Sequence, residues 1–140
     1  DKWNAYRRKF AQYYENIVNE EIEVPLTKPA PWCTEQVFHI FPVLVGDTAA
    51  ERQELMNYMQ EQGSQVGIHY PICIEETGAY NDLASNNFNP RTRKNADRLV
   101  SLPIHPFMTP EDCLKVVKIL NSWKSEKKAV EQLAHRAERV

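Results

Sequence analysis

Residues 47–63, DTAAERQELMNYMQEQG, carry the signals for both ends of one helix, and no other stretch constrains the fold as tightly. Thr48 can accept a hydrogen bond from the free amides at the helix start, and Glu51, three residues later, can reach back to complete a capping box. Gly63 can take the left-handed conformation that ends many helices. The sequence therefore predicts a helix that begins after Thr48 and ends before Gly63.

Two further segments have the apolar spacing of amphipathic helices. The first opens the chain, and its apolar residues are Trp3, Tyr6, Phe10, Tyr13, Tyr14, Ile17 and Val18. The second, residues 109–123, has Thr109 as its predicted cap and Pro110 at the first helical position. Its apolar stripe consists of Cys113, Val116, Val117, Leu120 and Trp123. Residues 124–140 are strongly charged, so they form either a helical extension or a frayed end.

Three segments, residues 36–45, 64–70 and 98–104, are typical of β-strands because they are rich in β-branched and aromatic residues. Pro42 fits the first strand best where its missing N–H points away from a neighbouring strand. Short helices are predicted at residues 78–83 and 91–98, between the second and third strands. The order of elements predicts an α+β fold in which helices cover a small three-stranded sheet. Three prolines make residues 23–32 an extended connector.

Composition narrows the classes of function. The 140 residues suffice for one domain, and a net charge of −2 does not indicate a nucleic-acid-binding protein. No apolar run approaches the roughly 20 residues that span a bilayer, and the first residues lack the layout of a signal peptide, so we expect a cytoplasmic protein. The cysteines at positions 33, 73 and 113 are odd in number and form no CxxC pair. We expect three reduced thiols.

The histidines are the first candidates for chemistry. His69 and Tyr70 stand together at the end of a predicted strand, where one side chain can pack inside while the other reaches a cleft. His39 lies in the first predicted strand, on the face opposite its two neighbours. For all three residues a purely structural role is the simpler alternative. His39, His69 and His105 could converge on a metal ion, but their spacing matches no known ligand motif.

Other constellations are less complete still. Cys73 follows His69 by four residues, yet no oxyanion-hole sequence accompanies this pair. Glu75 and Glu76 are adjacent and would point in different directions in an extended chain, which argues against a shared acid and base. A basic cluster could meet a phosphate but is also typical of a solvated helix face; it comprises Arg91, Arg93, Lys94 and Arg98. The sequence contains no GxGxxG, P-loop or GxSxG motif.

Four segments taken together nevertheless resemble one known family. They are VFHIFPVLV, RQELMNYMQEQGSQVGIHYPI, GAYNDL and NADRLVSLPIHPFMTPEDCLKVVKIL. In this order and spacing they are similar to the C-terminal small domain of the DegT/DnrJ/StrS-type sugar aminotransferases. The resemblance covers about Trp3 to Leu120, with GIHYP, the following GAY and LVSLPIHPFMTPED as its strongest marks.

The resemblance implies a fold and a site. The fold would be that of the small domain of aspartate-aminotransferase-type enzymes, a mostly antiparallel sheet covered by helices. Residues 1–123 would form this domain, and residues 124–140 would be a charged extension. His69 and Tyr70 would help to line the pocket for a nucleotide-linked keto-sugar, and His39 matches a histidine of the family's first small-domain strand. The cofactor would be pyridoxal 5'-phosphate, but its lysine, its carboxylate partner and its phosphate-binding loop belong to the family's large domain.

The resemblance therefore implies that this chain is one domain of a larger enzyme. The complete enzyme would be a homodimer that moves an amino group, with glutamate as the expected donor, to a nucleotide-linked keto-sugar, and this chain alone would not be catalytic. Cys73 and Glu75 depart from the family pattern, in which a proline and a second histidine are common. An alternative is a non-catalytic module that binds a nucleotide-sugar or another protein, and a further one is a free-standing metal or thiol enzyme.

Overall fold

The computed structural model of the chain describes residues 1–17, 31–80 and 89–137, with side chains as far as residues 15 and 129 in the first and last of these ranges. Its elements are α1 (Lys2–Ile17), β1 (Phe41–Leu44), α2 (Ala49–Glu61), a short 3₁₀ helix (Ile74–Glu76), α3 (Pro90–Arg98), β2 (Leu99–Leu102) and α4 (Pro110–Ala137). Most of the connector predicted at 23–32 lies outside the described residues. Within them, no helix is both long and apolar enough to cross a bilayer.

The prediction for α2 is confirmed at both ends. Thr48 Oγ1 accepts a hydrogen bond from Glu51 N at 3.2 Å, and Glu51 Oε2 accepts one from Thr48 N at 3.0 Å. Gly63 follows the helix with a φ of 74°, the left-handed conformation that the sequence predicted. The helix is thus fixed by contacts among residues close in sequence.

The predicted cap and stripe of α4 are also confirmed. Thr109 Oγ1 accepts from Asp112 N at 3.2 Å, while Asp112 Oδ2 accepts from Thr109 N at 2.8 Å, so this helix has a capping box of its own. All five residues of the predicted apolar stripe are buried. The helix continues to Ala137, through most of the charged segment that the sequence left open between helix and frayed end.

Side chains near residue 125 hold the extension of α4 against α2. Tyr58 Oη donates to Glu126 Oε1 at 2.9 Å. Lys127 forms an ion pair with Glu51 and lies 5.4 Å from the centre of the Trp123 ring. The carboxylate of Glu51 therefore serves both the cap of α2 and the contact with α4.

The strands β1 and β2 pair antiparallel, with Pro42 opposite Ser101. Ser101 N donates to Gly67 O at 2.7 Å and Ser101 O accepts from Gly67 N at 3.1 Å, so both backbone groups of Ser101 face away from β1. The Pro42 and Ser101 pair is therefore of the non-hydrogen-bonded kind, and the nitrogen of Pro42 points to the outer edge of β1. This is the position that the sequence predicted for the proline.

The predicted three-stranded sheet was wrong in its extent. The described residues form a two-stranded sheet, and the strand expected at 64–70 contributes only an isolated bridge from Gly67 to Ser101. The turn after α2, in which Ser64 N donates to Met59 O at 2.8 Å, leaves little extended chain before Pro71. The strand expected at 36–45 begins only at Phe41 because Phe38 has a φ of 49°, which breaks extended pairing.

Two other boundaries differ from the prediction. The strand expected at 98–104 is confined to β2, since Arg98 ends α3 and Pro103 has no N–H for a ladder. The helix expected at 78–83 is a turn in its described part, residues 78–80, and the neighbouring 3₁₀ helix lies four residues earlier. The helix expected at 91–98 is confirmed as α3.

The core lies between one face of the sheet and the helices α1, α2 and α4. Phe41, Val43, Val100 and Leu102 line that face and are buried. Within α1 the buried residues are Phe10, Ala11 and Tyr14, and Tyr14 Oη donates to Pro103 O at 2.7 Å. The sequence also placed Trp3 and Tyr6 in the apolar stripe of α1, but they are 59% and 39% exposed. Trp3 packs edge to face on Phe107, which is itself exposed, with ring centres 5.8 Å apart.

Candidate functional site

His39 and His69 lie on the same pocket, although 30 positions separate them in the sequence. The pocket has a volume of about 320 Å³ and is formed by the bend before β1, the segment around Gly67 and the end of β2. Its polar side chains are those of His39, Gln65, His69 and Ser101. Two of the three predicted site residues are thus brought together, on a surface that the solvent can reach.

His69 is exposed rather than packed in the core, and its ring is held on one side. Its Nδ1 atom lies 2.9 Å from the hydroxyl oxygen of Ser101, a side chain of β2 that is 5% exposed. A Cβ atom placed on Gly67 would lie 3.1 Å from His69 Cε1, closer than most van der Waals contacts. The missing side chain at Gly67 therefore makes room for the imidazole.

His39 and Tyr70 occupy different positions relative to this pocket. His39 is exposed in the bend before β1, so the face assigned to it in a strand does not exist. Tyr70 does not line the pocket; it is 75% exposed, and its ring lies edge to face against His69 with the ring centres 6.0 Å apart. Of the predicted pair, only the histidine contributes to the cavity wall.

The described residues do not bring metal ligands together. No group of three or more His, Cys, Asp or Glu side chains converges in the part of the chain that the structure describes. His105, the third histidine considered for a metal, does not line the pocket, and its Nδ1 accepts a hydrogen bond from Phe107 N at 3.3 Å. The geometry gives no support to a metal enzyme.

A thiol nucleophile is likewise unsupported. Cys73 is 4% exposed, and burial, followed by the negative charges of Glu76 and Glu75, raises the pKa of its thiol. The thiolate is the reactive form of cysteine, so these surroundings favour the unreactive one. Glu76 is in turn committed to structure, because its carboxylate pairs with Arg93 and accepts a hydrogen bond from Cys73 N at 3.1 Å.

The basic cluster around α3 divides into structural and exposed members. Arg93 pairs with Glu76 and lies 3.7 Å from Asp97, while Arg98 is buried and its Nε donates to Gly46 O at 2.5 Å. Arg91 and Lys94 are exposed on the helix surface. Two of the four basic side chains thus make contacts that stabilise the fold, so the cluster gives little support to a phosphate site.

The pocket offers hydrogen-bonding side chains and lacks the charged groups of lysine, arginine and carboxylates among its described lining. Its described lining contains imidazole, amide and hydroxyl groups beside the apolar Ile40 and Ile104, and no lysine, arginine or carboxylate. Such a wall suits an uncharged ligand with hydroxyl or carbonyl oxygens, since imidazole and amide groups can both donate and accept. Sequence reasoning missed Ser101 and Gln65, because a serine in a strand and an exposed glutamine give no signal by themselves.

Comparison with known proteins gives consistent matches. The sequence profile of the DegT/DnrJ/EryC1/StrS aminotransferase family matches residues 1–121. The chain is 35% identical over 124 residues to dTDP-3-amino-3,6-dideoxy-alpha-D-galactopyranose transaminase of Aneurinibacillus thermoaerophilus, a match that covers 88% of this chain and 32% of that protein. The chain therefore spans about a third of the length of such relatives.

Solved structures show the same partial match. DesV of Streptomyces venezuelae, in complex with a ketimine intermediate, matches with a TM-score of 0.72 and 28% identity over 86% of this chain and 32% of its own. NtdA of Bacillus subtilis, with the cofactor PMP bound, matches with a TM-score of 0.69 and 23% identity over 86% of this chain and 28% of its own. The fold of the described residues is thus that of one part of an aminotransferase.

Proposed function

We propose the following function for this chain, which belongs to the DegT/DnrJ/EryC1/StrS aminotransferase family. It is the C-terminal small domain of a pyridoxal-phosphate-dependent enzyme that transfers an amino group to a nucleotide-linked keto-sugar, with glutamate as the donor. The name of the relative from Aneurinibacillus thermoaerophilus, a transaminase for a dTDP-linked amino sugar, supports this substrate class. The coverage of about a third of the length of such relatives supports the assignment to one domain.

The observation that carries the proposal is the shared pocket of His39 and His69. Its hydrogen-bond donors and acceptors match the hydroxyl and carbonyl oxygens of a sugar, and its volume of about 320 Å³ lies at the lower end of the range for small-ligand sites. In the complete enzyme these two side chains orient the sugar, while Tyr70 borders the pocket from outside. The function of this chain is to bind and to position.

The described residues do not fit the cofactor as a complete site. Pyridoxal phosphate requires a lysine, a carboxylate at its ring nitrogen and a phosphate-binding loop, and the lining of the pocket offers none of these charged groups. The described lysines all lie on helices; they are Lys2, Lys9, Lys94, Lys115, Lys118, Lys124, Lys127 and Lys128. The lysine and the electron-withdrawing cofactor are therefore assigned to a large domain of the same enzyme, and this chain alone is not catalytic.

The remaining assignments follow from the same premise. Residues 1–123 form the small domain and residues 124–140 an extension, in keeping with a family match that ends at residue 121. The complete enzyme acts in the cytoplasm as a homodimer, and its partners are its own large domain and the nucleotide-sugar.

The test is the substitution His69→Ala in the complete enzyme, with His105→Ala as the matched control. We expect the first change to lower kcat/KM for the keto-sugar about 10-fold, the effect of losing one hydrogen bond to the substrate. The control should leave kcat/KM unchanged, because His105 does not line the pocket. Cofactor content should remain that of the wild type in both variants. An equal loss of cofactor and turnover in His69→Ala would contradict the assigned role.

A second candidate is a non-catalytic module that binds a nucleotide-sugar or a partner protein. The observation that favours it is the buried, neutral thiol of Cys73 beside Glu75, where the resemblance led us to expect a proline and a second histidine. The sequence of the gene upstream of Asp1 decides between the two. A large domain that carries the cofactor lysine supports the enzyme, and a reading frame without one supports the module.

A further inference from the structure

The ring of His69 is hydrogen-bonded at Nδ1 to Ser101, and the absence of a side chain at Gly67 leaves the space that the ring occupies. We propose that Ser101 is a positioning residue for His69. The hydroxyl of Ser101 is hydrogen-bonded to Nδ1 of His69, so that Nε2 of the ring carries the proton and faces the ligand. The identity of that ligand, a carbonyl or hydroxyl oxygen of a keto-sugar, rests on the proposed function. The positioning itself rests only on the contacts of the described residues.

The backbone bridge between Gly67 and Ser101 sets the distance. Two hydrogen bonds, of 2.7 and 3.1 Å, fix these residues directly opposite each other. Residues opposite each other in an antiparallel pair project to the same face, so the hydroxyl of Ser101 stands beside the space that a side chain at position 67 would fill. His69, two positions along the chain, turns its ring into that space and meets the hydroxyl at 2.9 Å.

The direction of this hydrogen bond follows from the burial of Ser101. A serine hydroxyl has one proton to donate, and a buried hydroxyl proton that lacks an acceptor destabilises the folded state. Among the described residues His69 Nδ1 is the acceptor within reach, whereas the exposed imidazole can find other partners at its second nitrogen. Ser101 therefore donates to Nδ1, and the neutral ring carries its proton on Nε2.

One tautomer gives His69 one role toward a ligand. A ring with Nε2–H donates a hydrogen bond and attracts a carbonyl or hydroxyl oxygen, whereas an unconstrained ring would offer a donor and an acceptor in turn. Ser101 acts through His69, because its hydroxyl proton is engaged at Nδ1.

The test measures the His69 tautomer by ¹⁵N NMR in the full 140-residue chain at a pH of about 9, where free imidazole is uncharged. We expect one predominant Nε2–H form in the wild type, a mixture in Ser101→Ala, and recovery in Ser101→Thr, which keeps the hydroxyl. His105 is the internal control, because its Nδ1 already accepts from Phe107 N and should not respond. An unchanged His69 tautomer in Ser101→Ala would overturn the proposal.

A second variant tests the same contact without a change at the buried Ser101, so the result does not depend on how well the Ser101 variants fold. Gly67→Ala keeps the hydroxyl but places a Cβ atom 3.1 Å from His69 Cε1, so it should displace the ring and give the same mixture. Gly78→Ala is the matched control, since a Cβ atom there has no neighbour within 4 Å. A wild-type tautomer in Gly67→Ala would also count against the proposal.

Turnover of the complete enzyme separates this inference from the proposed function. Ser101→Ala should raise KM for the keto-sugar about 3- to 10-fold and leave cofactor content intact, with recovery in Ser101→Thr. If the tautomer changes as expected while the complete wild-type enzyme shows no activity toward any nucleotide-linked keto-sugar, the positioning stands and the substrate class is wrong. If KM responds but the tautomer does not, the substrate class stands and the positioning is wrong.

Discussion

At the scale of single residues, Gly46 shows how one missing side chain supports two elements. It joins β1 to α2 with a φ of 60°, and its carbonyl accepts the hydrogen bond from Arg98 Nε. A Cβ atom at Gly46 would lie 2.7 Å from Glu51 Cβ, which is closer than real Cβ contacts essentially ever are. The residue is therefore required twice, for its backbone conformation and for space.

We expect Gly46→Ala to lower the free energy of unfolding by about 2 kcal/mol or more, because strain and a steric clash add. Gly63→Ala should cost about 1 to 2 kcal/mol, since Gly63 also has a positive φ but a Cβ atom would meet only the end of the Lys115 side chain, at 3.6 Å. Chemical denaturation of the two variants measures the difference. Equal losses would show that the clash with Glu51 is relieved by movement.

The site shows what single residues in a sequence can and cannot reveal. The sequence pattern made His69 a candidate, the family resemblance assigned it to a sugar pocket, and in the structure it lines a pocket. Its contact with Ser101 could not be predicted, because it depends on the register between two segments 34 positions apart. His39 lines the same pocket from a bend that follows the positive φ of Phe38, where the apolar pattern had predicted a continuous strand.

At the scale of elements, the long helices were predictable, whereas the extent of the sheet was not. The ends of α2 and α4 depend on contacts within four residues, such as that between Thr48 and Glu51, and these can be recognised in the sequence. The strands depend on partners far along the chain. Residues 64–70 have the composition of a strand, but only Gly67 finds a partner, so the third strand of the predicted sheet is reduced to one bridge.

The contact between α2 and the extension of α4 should make stability depend on pH. The hydrogen bond from Lys127, followed by that from Asp47 N, lowers the pKa of Glu51 from an ordinary value of 4.5 to about 2. The carboxylate is bound more tightly when ionised, so its contribution is present above about pH 4.5 and is lost as the pH falls toward 2.

Lys127→Met tests this contact. The variant should lose about 1 kcal/mol of unfolding free energy near neutral pH, typical of a partly exposed ion pair, and much of that difference should vanish near the acid end of the range. Lys118→Met, an exposed position on the same helix, is the control. Urea denaturation at several pH values provides the measurement, and a Lys127→Met effect that does not change with pH would contradict the assigned interaction.

At the scale of the whole molecule, the chain corresponds to about a third of the length of its relatives. The family match and the fold identify it as part of an aminotransferase, and none of the described lysines lines the pocket. The sequence could predict the family because four segments resemble it in their order and spacing. The arrangement of the pocket lining could not be predicted, because it depends on how three segments of the chain pack together.

We expect the 140-residue chain, mixed with pyridoxal phosphate, to retain no stoichiometric cofactor after dialysis. Borohydride added to the mixture before dialysis should label its surface lysines weakly and without preference, because none of the described lysines lines the pocket of His39 and His69. Mass spectrometry of the peptides measures the labelling, and the complete enzyme is the control. One strongly labelled lysine in this chain would contradict the assignment of the cofactor to another domain.

The orientation of Pro42 has a consequence for how copies of this protein meet in a concentrated cell. A free strand edge offers a row of donors and acceptors to any passing chain, and cross-chain pairing of this kind is a common start of aggregation. In the described part of the chain the outer edge of β1 lacks a donor at its second residue, because the proline nitrogen that faces outward carries no hydrogen. A second chain that paired with this edge would therefore receive no backbone hydrogen bond from Pro42, which disfavours self-association through β1.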